Sequence, residues 1–275
     1  MIVVTGTKRS GTSMWMQILR AAGLPVVGQA FPGRWGDSIR EANPKGFYES
    51  RFRMGLYHRT NPDPRTGEFL TPGDLAGQAC KVFVPGLIRT DYGYIERVLA
   101  TMRPWREYAA SLQRLYDMEA ANTPAKADDE LGERDSASEK RVRQGRLPAA
   151  LEWWFENYEL VRDVTTRRYP FHLLTYDRLL RDPAAEIAPV LRWLGAGDLD
   201  AALEAVDPGL RTFTATPHDD PRVDDEAAAV FDAFYEAVDS GADLPQTLVA
   251  DMNRIHVRLV KAWDEERAAA LEKRR

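Results

Sequence analysis

The sequence has one cysteine, no long apolar run and no basic leader. Cys80 stands alone in 275 residues, which excludes an internal disulfide and a cysteine-rich zinc site. No apolar run approaches the roughly 18 residues that a membrane-spanning helix needs. The opening Met1-Ile2-Val3-Val4-Thr5-Gly6 has no basic segment ahead of a hydrophobic one, so it does not read as a secretory signal. A reducing, cytoplasmic location is the expectation. What is present suits a folded chain. Hydrophobic residues make up 44% and charged residues 29%, and the length suffices for one large domain.

The net charge of -5 argues against a general nucleic-acid binder. The average hides an asymmetry. Residues 1–60 hold nine basic and three acidic residues, a local excess of +6, and the rest of the chain carries -11. A basic opening segment on an acidic protein suggests a local anion site. Solvated arginines are the alternative that the count leaves open.

Ile2-Val3-Val4-Thr5 reads as a short buried strand closed by Gly6. Met14, Trp15, Ile18, Leu19 and Ala22 recur at helical spacing over 12–22, with Gly23 suited to end the helix. Residues 28–50 read as a loop, and a helical stretch is expected around 50–59. Lys81–Val84, Val98–Met102 and Phe171–Thr175 read as further strands. Arg106–Asp117, 148–166 and 182–194 read as helices. Strands alternating with helices predict a parallel α/β sheet of four to five strands with helices on both faces. Residues 118–147 are polar and read as an insertion or a lid. Residues 243–272 read as one amphipathic helix, whose stripe Leu244, Leu248, Met252, Ile255, Leu259 and Trp263 either packs on the body or forms a homodimer seam.

The strongest signal is the stretch Gly6-Thr7-Lys8-Arg9-Ser10-Gly11-Thr12-Ser13 between a strand and a helix. Glycine turns and a helix N-terminus aim backbone N–H groups at one anion. The nucleotide-hydrolase form of such a loop ends in G-K-[ST]. Here Thr12 stands in the lysine position, and the positive charge sits in the loop at Lys8 and Arg9. No apolar strand ends in an aspartate that would hold magnesium. Both departures favour an anionic donor handled by cations of the protein, without a metal.

At these residues the chain resembles the P-loop sulfotransferases, which use 3′-phosphoadenosine 5′-phosphosulfate (PAPS). Their phosphosulfate loop, [KR]-S-G-T-[ST], is similar to Arg9-Ser10-Gly11-Thr12-Ser13. Their strand-end arginine, followed eight residues later by a serine, is similar to Arg103 and Ser111, and implies a 3′-phosphate site. Tyr176–Pro183 and Asn43–Glu49 resemble two weaker segments of the family. The resemblance implies a P-loop nucleotide-kinase-like fold over the whole chain and a sulfonate transfer to a hydroxyl or amine. It implies PAPS as co-substrate and adenosine 3′,5′-bisphosphate as product. Lys8, Arg9, Ser10, Gly11, Thr12, Ser13, Arg103 and Ser111 are the expected donor-binding residues. Many members stack adenine on a tryptophan placed directly after the loop; here Met14 stands there and Trp15 follows. Arg211–Thr214 is the one candidate for a closing loop over the 3′-phosphate.

Arg9 is the expected catalytic cation. Glu49, one of the three acids of the basic segment, is the first candidate for general base, and His58 is the second. An ion pair of Glu49 with Arg51 or Arg53 is the structural alternative for Glu49. For Arg103 it is a pair with Glu107. The acceptor, whether small molecule, sugar or lipid, is not readable. A phosphoryl-transfer enzyme and a non-catalytic nucleotide-binding module are the competing functions.

Overall fold

The computed structural model describes residues 1–32, 40–122, 147–211 and 220–272. Thr212–Thr214 and most of the polar stretch 118–147 lie outside the described residues. Five strands, β1 Ile2–Thr5, β2 Val26–Val27, β3 Ala79–Lys81, β4 Arg97–Met102 and β5 Phe171–Thr175, form one parallel sheet in the order β2-β3-β1-β4-β5. Nine helices surround it among the described residues: α1 Thr12–Ala21, α2 Val84–Arg89, α3 Trp105–Asn122, α4 Ala149–Arg167, α5 Tyr176–Arg181, α6 Pro183–Leu194, α7 Leu199–Glu204, α8 Asp225–Ser240 and α9 Gln246–Glu272. None is long and apolar enough to cross a membrane.

The strands are apolar throughout because both faces are covered. Ile2, Val4, Leu99 and Leu174 face one way, into a core with Trp15, Ile18 and Leu19 of α1 and Ile187 and Val190 of α6. Val3, Val98 and Ala100 face the other way, against Leu87 of α2 and Leu160 of α4. A third cluster lies beyond the end of β4, where Trp105, Trp153, Trp154 and Phe231 join α3, α4 and α8. Trp154 and Phe231 stack at 4.4 Å. The stripe of α9 is used in this cluster through Met252, Ile255, Leu259 and Trp263, so it packs on the body.

Several boundaries differ from the sequence reading. The strand expected over Lys81–Val84 is Ala79–Lys81, and Val84 instead opens α2. Pro85 explains the change, since it donates no ladder bond but suits a first helical turn. The helix expected around 50–59 is one 3-10 turn, Arg51–Met54, capped by the Ser50 hydroxyl and ended at Gly55 with φ 100°. The helix expected to stop at Asp117 continues to Asn122. The two-residue β2, α7 and α8 were not anticipated.

The strand order locates the site. The chain leaves β1 toward the β2 edge and leaves β4 toward the β5 edge. Neighbours β1 and β4 thus send their connections in opposite directions, which opens a crevice at their carboxyl ends. The glycine loop and Arg103 both lie at that crevice.

Candidate functional site

The loop over residues 6–11 is shaped by its neighbours. Gly6 has φ 146°, and a side chain there would meet the Thr101 carbonyl oxygen at 2.3 Å. Gly11 has φ 104°, and a side chain there would meet the Tyr176 ring at 2.7 Å. Glycine is required at both on backbone and space. The Thr101 hydroxyl donates to the Ser10 carbonyl at 2.9 Å. The Ser10 hydroxyl and N–H both turn inward to the Thr7 carbonyl, at 2.7 and 3.2 Å. Ser10 therefore shapes the loop and has no donor left for a ligand.

Helix α1 starts at Thr12 without a side-chain cap and without an acid in its first turn. Its first intrahelical bond runs from the Trp15 N–H to the Gly11 carbonyl. The N–H groups of Thr12, Ser13 and Met14 precede that bond, as the leading N–H groups of any helix do. They face the crevice with the positive end of the helix dipole. Trp15 is fully buried in the core, so its ring does not face the crevice.

On the β4 side, Arg9 stands in a left-handed conformation, φ 66°. Its Nε donates to the Ser111 hydroxyl at 3.2 Å. The two residues expected in separate motifs are thus neighbours. Burial, then the like charges of Arg103 and Arg114, push the Arg9 guanidinium down to about 10. Arg103 is buried; it pairs with Glu107 at 3.1 Å and reaches the Arg9 carbonyl at 3.4 Å. Arg211 pairs with the same Glu107 at 2.7 Å and with Asp177 at 2.9 Å. The guanidinium of Arg103 also lies over the Tyr176 ring at 5.4 Å.

Lys8 turns away from the arginines to Glu152 of α4, at 3.3 Å, where Tyr108 also donates at 2.9 Å. Glu156, one turn along, has an Oε2 that is covered and without a hydrogen-bond partner. Burial, then the charge of Glu152, push the Glu156 carboxyl up to about 8.

On the β3 side, Lys81 ends its strand pointing into the loop. Its Nζ donates to the Ser13 hydroxyl at 2.9 Å and the Phe47 carbonyl at 3.1 Å, and pairs with Glu49 at 2.7 Å. Glu49 arrives through the Asn43–Glu49 segment, which α1 grips. Gln17 donates to Gly46 and Asn43 at 2.9 and 3.1 Å, and Glu49 bridges Gln29 through backbone bonds. The partner of Glu49 is therefore Lys81. Arg51 pairs with Asp63 and Glu68 instead. His58 is exposed and meets Tyr57 edge-on; no described contact joins it to the loop.

The arrangement brings together Arg9, Thr12, Ser13, Arg103, Ser111 and Glu49 and leaves His58 outside. Sequence reasoning missed Lys81, Glu152 and Glu156. A lysine closing an apolar strand was the available signal for Lys81; nothing marked the two glutamates within the polar face of a helix. No protein-family model matches the sequence, and no curated protein is significantly similar to it.

Proposed function

We propose that this protein is a sulfotransferase that moves a sulfonate group from PAPS to a hydroxyl or amine of an acceptor. The observation that carries the reading is the acid-free, uncapped N-terminus of α1 set between cations from β1, β3 and β4. Arg9, Arg103 and Ser111 converge there, and Lys81 reaches the same helix through Ser13. These donors are cations, hydroxyls and N–H groups, which fits a ligand with phosphates at two ends. The phosphosulfate end falls to the N–H groups of α1, Ser13 and Arg9. The 3′-phosphate falls to Arg103 and Ser111.

When bound, the donor supplies the sulfonyl group and a phosphate leaving group. Arg9 and the N–H groups of α1 are preorganised toward the negative charge that gathers on the leaving oxygen. Arg103 orients the nucleotide, with Glu107 fixing its fork. Of the two proton acceptors expected from the sequence, Glu49 stands at the loop and His58 outside it.

The test is a thermal-shift comparison of adenosine 3′,5′-bisphosphate with ATP, ADP and AMP. A ligand at 100 times its dissociation constant stabilises by about 2.7 kcal/mol. The bisphosphate should be preferred, and the preference should vanish in Arg103→Ala. Preference for ATP with magnesium would replace sulfonyl transfer by phosphoryl transfer.

A further inference from the structure

We propose that Glu49 is a positioning residue that fixes the Lys81 ammonium, and that Lys81 in turn aims the Ser13 hydroxyl proton at the anion held by the loop. The proposal rests on the loop's being an anion site, as in the function proposed above.

An ammonium has three hydrogens. Those of Lys81 are matched by Glu49 Oε1, the Ser13 hydroxyl oxygen and the Phe47 carbonyl. Lys81 thus has no hydrogen left for a direct contact and acts through a neighbour. That neighbour is Ser13, in the first turn of α1. With its oxygen accepting from Lys81, the Ser13 hydroxyl must send its own proton elsewhere. Its one protein acceptor among the described residues is the Phe47 carbonyl at 3.4 Å, beyond the usual range for an O–H donor. An anion at the helix N-terminus is the better acceptor.

Glu49 fits this role better than that of base. Its Oε1 is engaged by Lys81 at 2.7 Å. Its Oε2 is covered and without a partner. Both side chains are 5% exposed or less, and removing one member of a buried pair leaves the other charge uncompensated. The Asn43–Glu49 segment, clamped on α1 by Gln17, delivers Glu49 to Lys81 and no further.

Burial holds the Lys81 ammonium below its ordinary range; Glu49 opposes this, while Arg9 of the loop and Arg53 of the following turn add to it. A lysine so placed keeps its charge below its folded pKa and loses it as the pH rises through that value. Neutralising Glu49 must move the loss to lower pH.

The experiment measures binding of adenosine 3′,5′-bisphosphate, ATP and pyrophosphate by calorimetry, and transfer kinetics, in wild type, Glu49→Gln, Lys81→Met, the double variant and Ser13→Ala. Glu49→Gln should weaken the bound anion about ten- to a hundredfold. Turnover at saturating donor should stay within about threefold of wild type. Its affinity should fall off earlier on the alkaline side, and the double variant should be no worse than Lys81→Met. Ser13→Ala leaves the buried pair intact, so it reports even where Glu49→Gln fails to fold, and it should show the same order of loss. Loss of turnover and of the acid limb of the pH profile in Glu49→Gln, with affinity unchanged, would make Glu49 the base and overturn the proposal. So would unchanged affinity in Ser13→Ala. A wild type that binds ATP in place of the bisphosphate ends the sulfonyl-transfer reading, but the relay is then tested on ATP. A wild type that binds none of the three anions sinks both.

Discussion

On the β3 side of the loop one ammonium meets one carboxylate; on the β4 side Arg103 and Arg211 share Glu107, Arg211 also meets Asp177, and Arg9 stands beside Arg103. The first flank is charge-matched, buried and satisfied at every lysine hydrogen. The second is crowded with like charges, and at Arg9 burial, then that crowding, pushes the guanidinium down to about 10. A matched flank holds its shape whether or not a ligand is present. A flank where like charges are crowded together gains most when an anion arrives. The β3 side is thus suited to geometry and the β4 side to affinity and charge stabilisation.

Three changes probe that contrast beyond the experiments already given. The largest effect should come from Arg9→Ala on the crowded flank, at about 10²–10³ in turnover, the usual cost of one preorganised donor. Near-normal transfer rates in that variant would remove Arg9 from the reaction. A smaller effect should come from Glu156→Gln, and it should appear in stability. The Glu156 carboxyl is pushed up to about 8, so its favourable contribution is complete below the ordinary carboxyl range and is lost as pH rises through that value. The melting temperature of the wild type should therefore decline between about pH 4.5 and about pH 8, and the variant should flatten the decline. Parallel curves would mean that Glu156 titrates normally. The smallest effect should come from His58→Ala, which changes an exposed ring and should shift stability by less than about 0.5 kcal/mol. A transfer defect there would bring His58 back into the site.

The elements most legible in the sequence are those decided locally. The loop announces itself by glycine spacing, and β5 matches its expected span because four of its five residues are apolar or β-branched. The Arg103–Ser111 spacing is also local, running over one strand end and the helix after it. Lys81 was hidden because its importance comes from a parallel neighbour: β3 lies beside β1 with Val4 opposite Lys81, a pairing that no short window contains. Pro85 marked where that strand had to stop, but the apolar run through Val84 masked it. Ser10 shows a related limit of the sequence. Its residue type matches a phosphate loop, whereas its hydroxyl direction depends on the backbone of Thr7. Trp15 shows the reverse case, since its one-residue offset turns it into the core, as helical periodicity requires.

The close contacts of Gly6 with Thr101 and of Gly11 with Tyr176 bear on how portable this loop is. Its outline is moulded by the end of β4 and the ring that follows β5, which lie far along the chain. Moving residues 6–13 alone into another strand–helix junction would transfer the letters without the mould. A graft that keeps its shape has to carry Thr101 and Tyr176 as well, so the smallest transferable unit spans three strands.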